Sequence, residues 1–159
     1  MGIWKSIIHS SLRLVFLSIA FVCIFSCSRP NIQEYFVKTA DRDEDGNFAF
    51  TFDLEKTYVY DIDILIVMDC NRKCFNKFEN TYINIMWVSP KGKHYEEKVW
   101  FSRDNLSQET RLSRLFMLPY RSNLRPFEYG EWSVYMTLDD KIIEDFKIPG
   151  VGIRLKTEK

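Results

Sequence analysis

The chain is short of the residues on which most catalytic and nucleic-acid functions depend. It holds 2 histidines in 159 residues, and His94 alone lies beyond the first 26. It has no charge of one sign to spare, with 22 basic residues against 22 acidic ones. Proteins that grip phosphate backbones carry a basic excess, so this balance argues against nucleic acid, and no nucleic-acid motif is present. There is no internal repeat, no low-complexity tract and no long stretch of helical period. The apolar run LVFLSIAFVCIF, Leu14 to Phe25, stops after a dozen residues. That is too short to cross about 30 Å of hydrocarbon comfortably as a permanent helix.

What is present begins with that run. Lys5 and Arg13 precede it, and a basic segment followed by a short apolar one reads as a secretory signal. Its end, IFSCSRP, places small Ser26 before Cys27, as in a bacterial lipobox, where the cysteine thiol accepts diacylglycerol and becomes the new N-terminus. Cys23 is the rival acceptor, but it follows bulky Val22 inside the apolar run. An ordinary signal peptide, or an uncleaved anchor, is the alternative. The organisation expected is a cleaved signal peptide over 1–26, a lipid-anchored tether over 27–40 and a β domain over 41–159. Cleavage removes two cations and no acid, leaving the mature chain at a net charge of −2. Several acyl chains on Cys27 would give the stable attachment that one chain cannot.

Beyond Gly46 the hydropathy alternates with period two. Phe48, Phe50, Phe52 and Leu54 share one face, followed by Tyr60, Ile62, Ile64, Ile66 and Met68 in YVYDIDILIVM. Ile83, Ile85 and Trp87 precede the turn SPKG. Tyr95, Glu97, Val99 and Phe101 share a face on the return strand. Trp132, Val134, Met136 and Leu138, then Val151, Ile153 and Leu155, continue the pattern. Between Ser102 and Arg125 the period is lost, and a short helix capped by Ser107 or an irregular crossing both fit. Tyr35–Val37 is a candidate first edge strand. Short alternating strands, aromatic residues at 16% and turns between them indicate an all-β antiparallel sandwich, jelly-roll or Ig-like.

Several motifs invite a chemical reading. DRDEDGNFAFTF starts like a calcium loop, with Asp41, Asp43 and Asp45 ahead of Gly46, but its twelfth position is Phe52, where an EF-hand needs a bidentate glutamate. A strand pattern also follows it, so a solvated acidic turn is expected. Cys70 and Cys74 flank NRK; a disulfide is the expected state in an oxidising compartment, with free thiols or metal as alternatives. His94 lacks any nearby nucleophile motif, and adjacent Glu96 and Glu97 point to opposite faces of a strand. The residues therefore point away from an enzyme, with no cofactor and no metal. Arg103, Arg111, Arg114, Arg121 and Arg125, with Tyr120, fall together in the irregular segment and form a candidate partner surface. Trp87 and Trp132 belong to apolar faces. Trp100, sharing its face with Glu96 and Lys98, is the candidate for stacking on a ligand.

The lipobox IFSCSRP, the early EYF, YVYDIDILIVM, the SPKG turn, EYGEW and the closing GVGIRL occur in that order over most of the chain beyond residue 26. In this the sequence resembles the GldH-type gliding-motility lipoproteins of Bacteroidetes. It departs from them in the loop CNRKCFNKFEN, where a shorter segment is expected. The resemblance implies an outer-membrane lipoprotein that supports a larger envelope machine through protein contacts. It brings no catalytic residue or cofactor, and Cys27 alone carries over as a functional position. A surface glycan-binding lipoprotein is the alternative. SRPNIQ after Cys27 lacks an acidic export cluster, which favours the periplasmic face.

Overall fold

The computed structural model describes residues 32–158; the segment 1–26 expected to be a signal peptide, and Cys27, lie outside them. Nine strands form two antiparallel sheets. They are β1 (Ile32–Lys38), β2 (Phe48–Leu54), β3 (Val59–Met68), β4 (Thr81–Val88), β5 (His94–Phe101), β6 (Leu106–Glu109), β7 (Arg114–Leu124), β8 (Gly130–Thr137) and β9 (Gly150–Glu158). One sheet has the order β1-β9-β3-β7-β6 and the other β2-β8-β4-β5. Without short β6 these are two four-stranded layers in jelly-roll order, which makes the protein an all-β sandwich. Two short helices, α1 (Arg72–Phe75) and α2 (Asp140–Phe146), sit in the connections.

The alternating faces meet between the sheets. Phe48, Phe50, Phe52 and Leu54 are buried, while Ala49, Thr51 and Asp53 between them are exposed. From the other layer come Tyr60, Ile62, Ile64, Ile66, Phe116, Leu118, Val151, Ile153 and Leu155. Burying one such side chain contributes about 1.5–3 kcal/mol, so this two-sided seam is the main source of stability.

Two segments differ from the sequence expectation. The 27–40 tether is shorter than expected, because Ile32–Lys38 is strand β1, paired along its length with β9. The partner is what makes it a strand. Phe36 lies over Gly150 and Gly152, where an added Cβ would come within 2.5 Å and 3.1 Å of its ring. The GVG closing motif thus accepts an aromatic from the neighbouring strand. The stretch 102–125 is neither a helix capped by Ser107 nor an irregular crossing: after one 3-10 turn, Arg103–Asn105, capped by Ser102, it holds β6 and β7. In β7, Phe116, Leu118 and Tyr120 point inward. Arginine at the first inward position and Pro119 hide that alternation.

The register defines two ends. Ile32 pairs with Lys156, Val59 with Glu158, Tyr60 with Leu124 and Leu54 with Gly130. The start of β1 therefore shares one end, called proximal, with the connections 55–58, 89–93 and 125–129. The distal end carries the acidic turn, α1, α2 and the connection between β5 and β6.

Candidate functional site

At the proximal end a cavity of about 210 Å³ opens between β5 of one sheet and β7 of the other. Its lining includes Leu54, Trp87, Tyr95, Glu97, Tyr120, Arg121, Phe127 and Trp132. The topology explains the opening. β5 is the last strand of its sheet, and β6 pairs only with the first residues of β7, so among the described residues neither sheet has a strand covering this side. The aromatic rings form a continuous wall. Phe127 meets Trp132 edge-on at 5.6 Å, Trp132 meets Trp87 at 5.9 Å, and Trp87 stacks on Tyr120 at 6.1 Å. The outermost, Phe127, is 65% exposed.

One polar network runs along the wall. The Trp87 indole N–H donates to the Tyr120 hydroxyl at 2.7 Å, and that hydroxyl donates to the Glu97 carboxylate. Arg121 donates to both Glu97 oxygens at 2.6 Å, and its guanidinium lies 4.3 Å from the centre of the Tyr120 ring. Burial, then the neighbouring Glu97 carboxylate, pushes the Tyr120 hydroxyl well above its ordinary pKa, so it remains a donor at any working pH. Apolar faces beside a few fixed polar groups are what small-ligand and side-chain pockets are built from.

The arginines expected to form one surface are divided between the two ends. β7 is 11 residues long and spans roughly 35 Å, carrying Arg114 to one end and Arg121 toward the other. Arg114 is only 1% exposed; it donates to the Cys70 carbonyl and, at 2.7 Å, to Glu109. Arg103 donates to the carbonyls of Phe78 and Asn76 at 3.0 and 2.6 Å. Both guanidinium groups lie against the Phe75 ring, at 4.5 and 5.4 Å. These two are structural ties. Arg111 is exposed in the distal turn between β6 and β7, and Arg125 is exposed at the proximal end. Tyr120 is buried in the recess wall, outside any surface cluster.

Trp100 is 71% exposed and contacts Tyr82 edge-on at 6.3 Å, away from the recess. Cys70 and Cys74 are free thiols, and the Cys74 thiol donates to the Asp145 carbonyl at 3.3 Å. The expected disulfide is therefore not formed here. Burial, reinforced by Cys74, pushes the Cys70 thiol up to about 12, which keeps it protonated and unreactive. The acidic run is a turn. The Asp43 carboxylate accepts from the Asn47 backbone at 2.7 Å, the Asp45 backbone and the Asn47 side chain, and Gly46 takes φ +80°. Those bonds, led by Asn47, hold Asp43 below its ordinary pKa.

Sequence reasoning assigned Trp87 and Trp132 to the core and put Glu97 on an inward face, without joining them into a site. Glu97 carried the available signal, since a carboxylate on the buried side of a strand needs partners. No family model matches the chain, and no curated protein matches it.

Proposed function

We propose that this protein is a non-catalytic accessory lipoprotein of a cell-envelope assembly. It is held at the outer membrane, on the periplasmic face, by lipid on Cys27, and it docks an envelope partner at the recess between β5 and β7. The observation that carries the docking part is the open aromatic wall from Phe127 to Tyr120, rimmed by the Glu97–Arg121 pair. Tyrosine, tryptophan and arginine are the residues that dominate protein-interface energetics. The IFSCSRP lipobox and the resemblance to GldH-type lipoproteins support the anchoring part. Confinement to a membrane raises effective concentration, so a small recess suffices for a lasting contact.

The test is crosslinking in living cells, purification through a C-terminal tag, and mass spectrometry, with Cys27→Ala and Phe127→Ala beside the unaltered chain. Partners lost in both variants support the reading. Partners retained in Phe127→Ala remove the recess from it, and the absence of any reproducible partner removes the scaffold role.

A second reading, glycan binding, is favoured by one feature. Aromatic faces lie beside a planar carboxylate–guanidinium fork, and a sugar ring offers an apolar C–H face with hydroxyls at its rim. Trp87 and Trp132 line the recess, so a tryptophan fluorescence change across a panel of oligosaccharides supports this reading, and a flat response excludes it.

A further inference from the structure

We infer that the proximal end of the sandwich faces the lipid surface, with the recess opening to the side between β5 and β7, and that a basic notch there takes the headgroup of an anionic lipid. This rests on the anchoring just proposed. The first argument is where the described chain begins. Ile32, at the proximal end, is separated from Cys27 by five peptide steps, at most roughly 18 Å when extended. Attachment at Cys27, or through the apolar run before it, keeps this end near the bilayer rather than the distal one.

The second argument is the chemistry of that end. A notch of about 380 Å³ is lined by Lys56, Tyr58, Val59, Arg125, Pro126 and Tyr129. Lys56 and Arg125 are exposed, and neither forms an ion pair among the described residues. Lys91 and Lys93 in the adjoining turn add two further exposed cations; the carboxylate facing them, Glu128, is itself buried. Ile32 and Tyr129 are about half exposed, at 52% and 49%. Amphipathic tyrosine beside lysine and arginine is the composition that favours the headgroup layer. The distal end carries the opposite sign in its turn, with Asp41, Asp43, Glu44 and Asp45. The three connections at the proximal end carry Lys56, Lys91, Lys93 and Arg125 beside the carboxylates Glu55 and Glu128, so the cations free to meet a headgroup there are those of the notch, on the side nearest the attachment.

The test uses the full chain reconstituted in phosphatidylcholine vesicles with and without phosphatidylglycerol, first floated on a density gradient and then followed by amide hydrogen exchange. Phosphatidylglycerol should slow exchange in 55–59, 89–93 and 125–129 and leave 41–47 unchanged. The Lys56→Glu/Arg125→Glu variant should lose that slowing. Each cation near an anionic surface is worth about five-fold in binding, so the two together should change protection by an order of magnitude or more. Unchanged exchange in β3 and β9 verifies that the variant is folded. Equal exchange in both kinds of vesicle, or a variant that keeps its protection, overturns the inference while the anchoring stands. A chain that fails to float overturns both.

Discussion

Two aromatic clusters occupy opposite ends of this sandwich, and they are finished differently. At the distal end Phe75, Phe78, Phe101, Phe116 and Phe146 pack with centroid distances from 4.8 to 6.5 Å. The segment 70–80 and α2 close over them, and Arg103 and Arg114 reach in to tie the closing segment down. At the proximal end Trp87, Tyr95, Trp132 and Phe127 make a similar set of edge-on and tilted contacts, but no described segment closes over them, and Arg121 stays at the rim, paired with Glu97. Similar ring chemistry thus gives a sealed core in one place and an open wall in the other. The difference lies in what covers the rings, the segment 70–80 and α2 at one end and no described strand beyond β5 and β7 at the other; Arg103 and Arg114 hold the cover down through backbone carbonyls, while Arg121 pairs with Glu97 at the open rim.

That contrast can be broken by substitution. Phe116→Ala, in the sealed cluster, should cost about 3–5 kcal/mol in denaturant unfolding, because the cavity it leaves is surrounded by rings that cannot collapse into it. Arg114→Ala should cost about 2–3 kcal/mol, since the Cys70 carbonyl loses its donor and the buried guanidinium volume is emptied. In the open cluster Tyr120→Phe should cost about 1–2 kcal/mol, removing the one hydroxyl that serves both Trp87 and Glu97. Phe127→Ala should change stability by no more than about 0.5 kcal/mol, because its ring is mostly in solvent. If Phe127→Ala destabilised as much as Phe116→Ala, the open wall would be core after all and the distinction would collapse.

The smallest expected effect sharpens the comparison through pH. Glu128 lies beneath the proximal turn, where Ser89, then Lys91 and Lys93, hold its carboxyl below its ordinary value of 4.5. A depressed carboxyl stabilises the fold above its unfolded pKa and loses that contribution as pH falls through the folded one. Acid titration should therefore loosen 89–93 below about pH 4.5, and Glu128→Gln should remove that dependence in amide exchange.

The fold was legible where one face of a strand is buried and the other wet. The β2 row Phe48, Phe50, Phe52, Leu54 reads directly as a sheet face, and so do the inward rows of β3, β4, β8 and β9. β7 was not legible, because Arg114 stands at the first inward position and its partners, the Cys70 carbonyl and Glu109, are brought to it only by the folded chain. β1 was half legible: its pattern is weak, and its strand character depends on β9 and the two glycines beneath Phe36. The recess was the least legible part. Trp87 and Trp132 read as core because both are apolar-face residues; what makes them a wall is the missing strand beyond β5 and β7. That is a property of topology, which no local pattern of residues records.

The pairing of β1 with β9 has a mechanical consequence. The strand nearest the proposed anchor runs antiparallel to the last strand over seven consecutive register pairs. A partner gripping the domain while the membrane pulls on Ile32 would apply its force along the strand axis. The β1–β9 hydrogen bonds would then bear the load in shear, all together, rather than opening one after another from an end. Lodged over Gly150 and Gly152, Phe36 would resist the same sliding, which makes this edge of the sheet a joint suited to carrying tension.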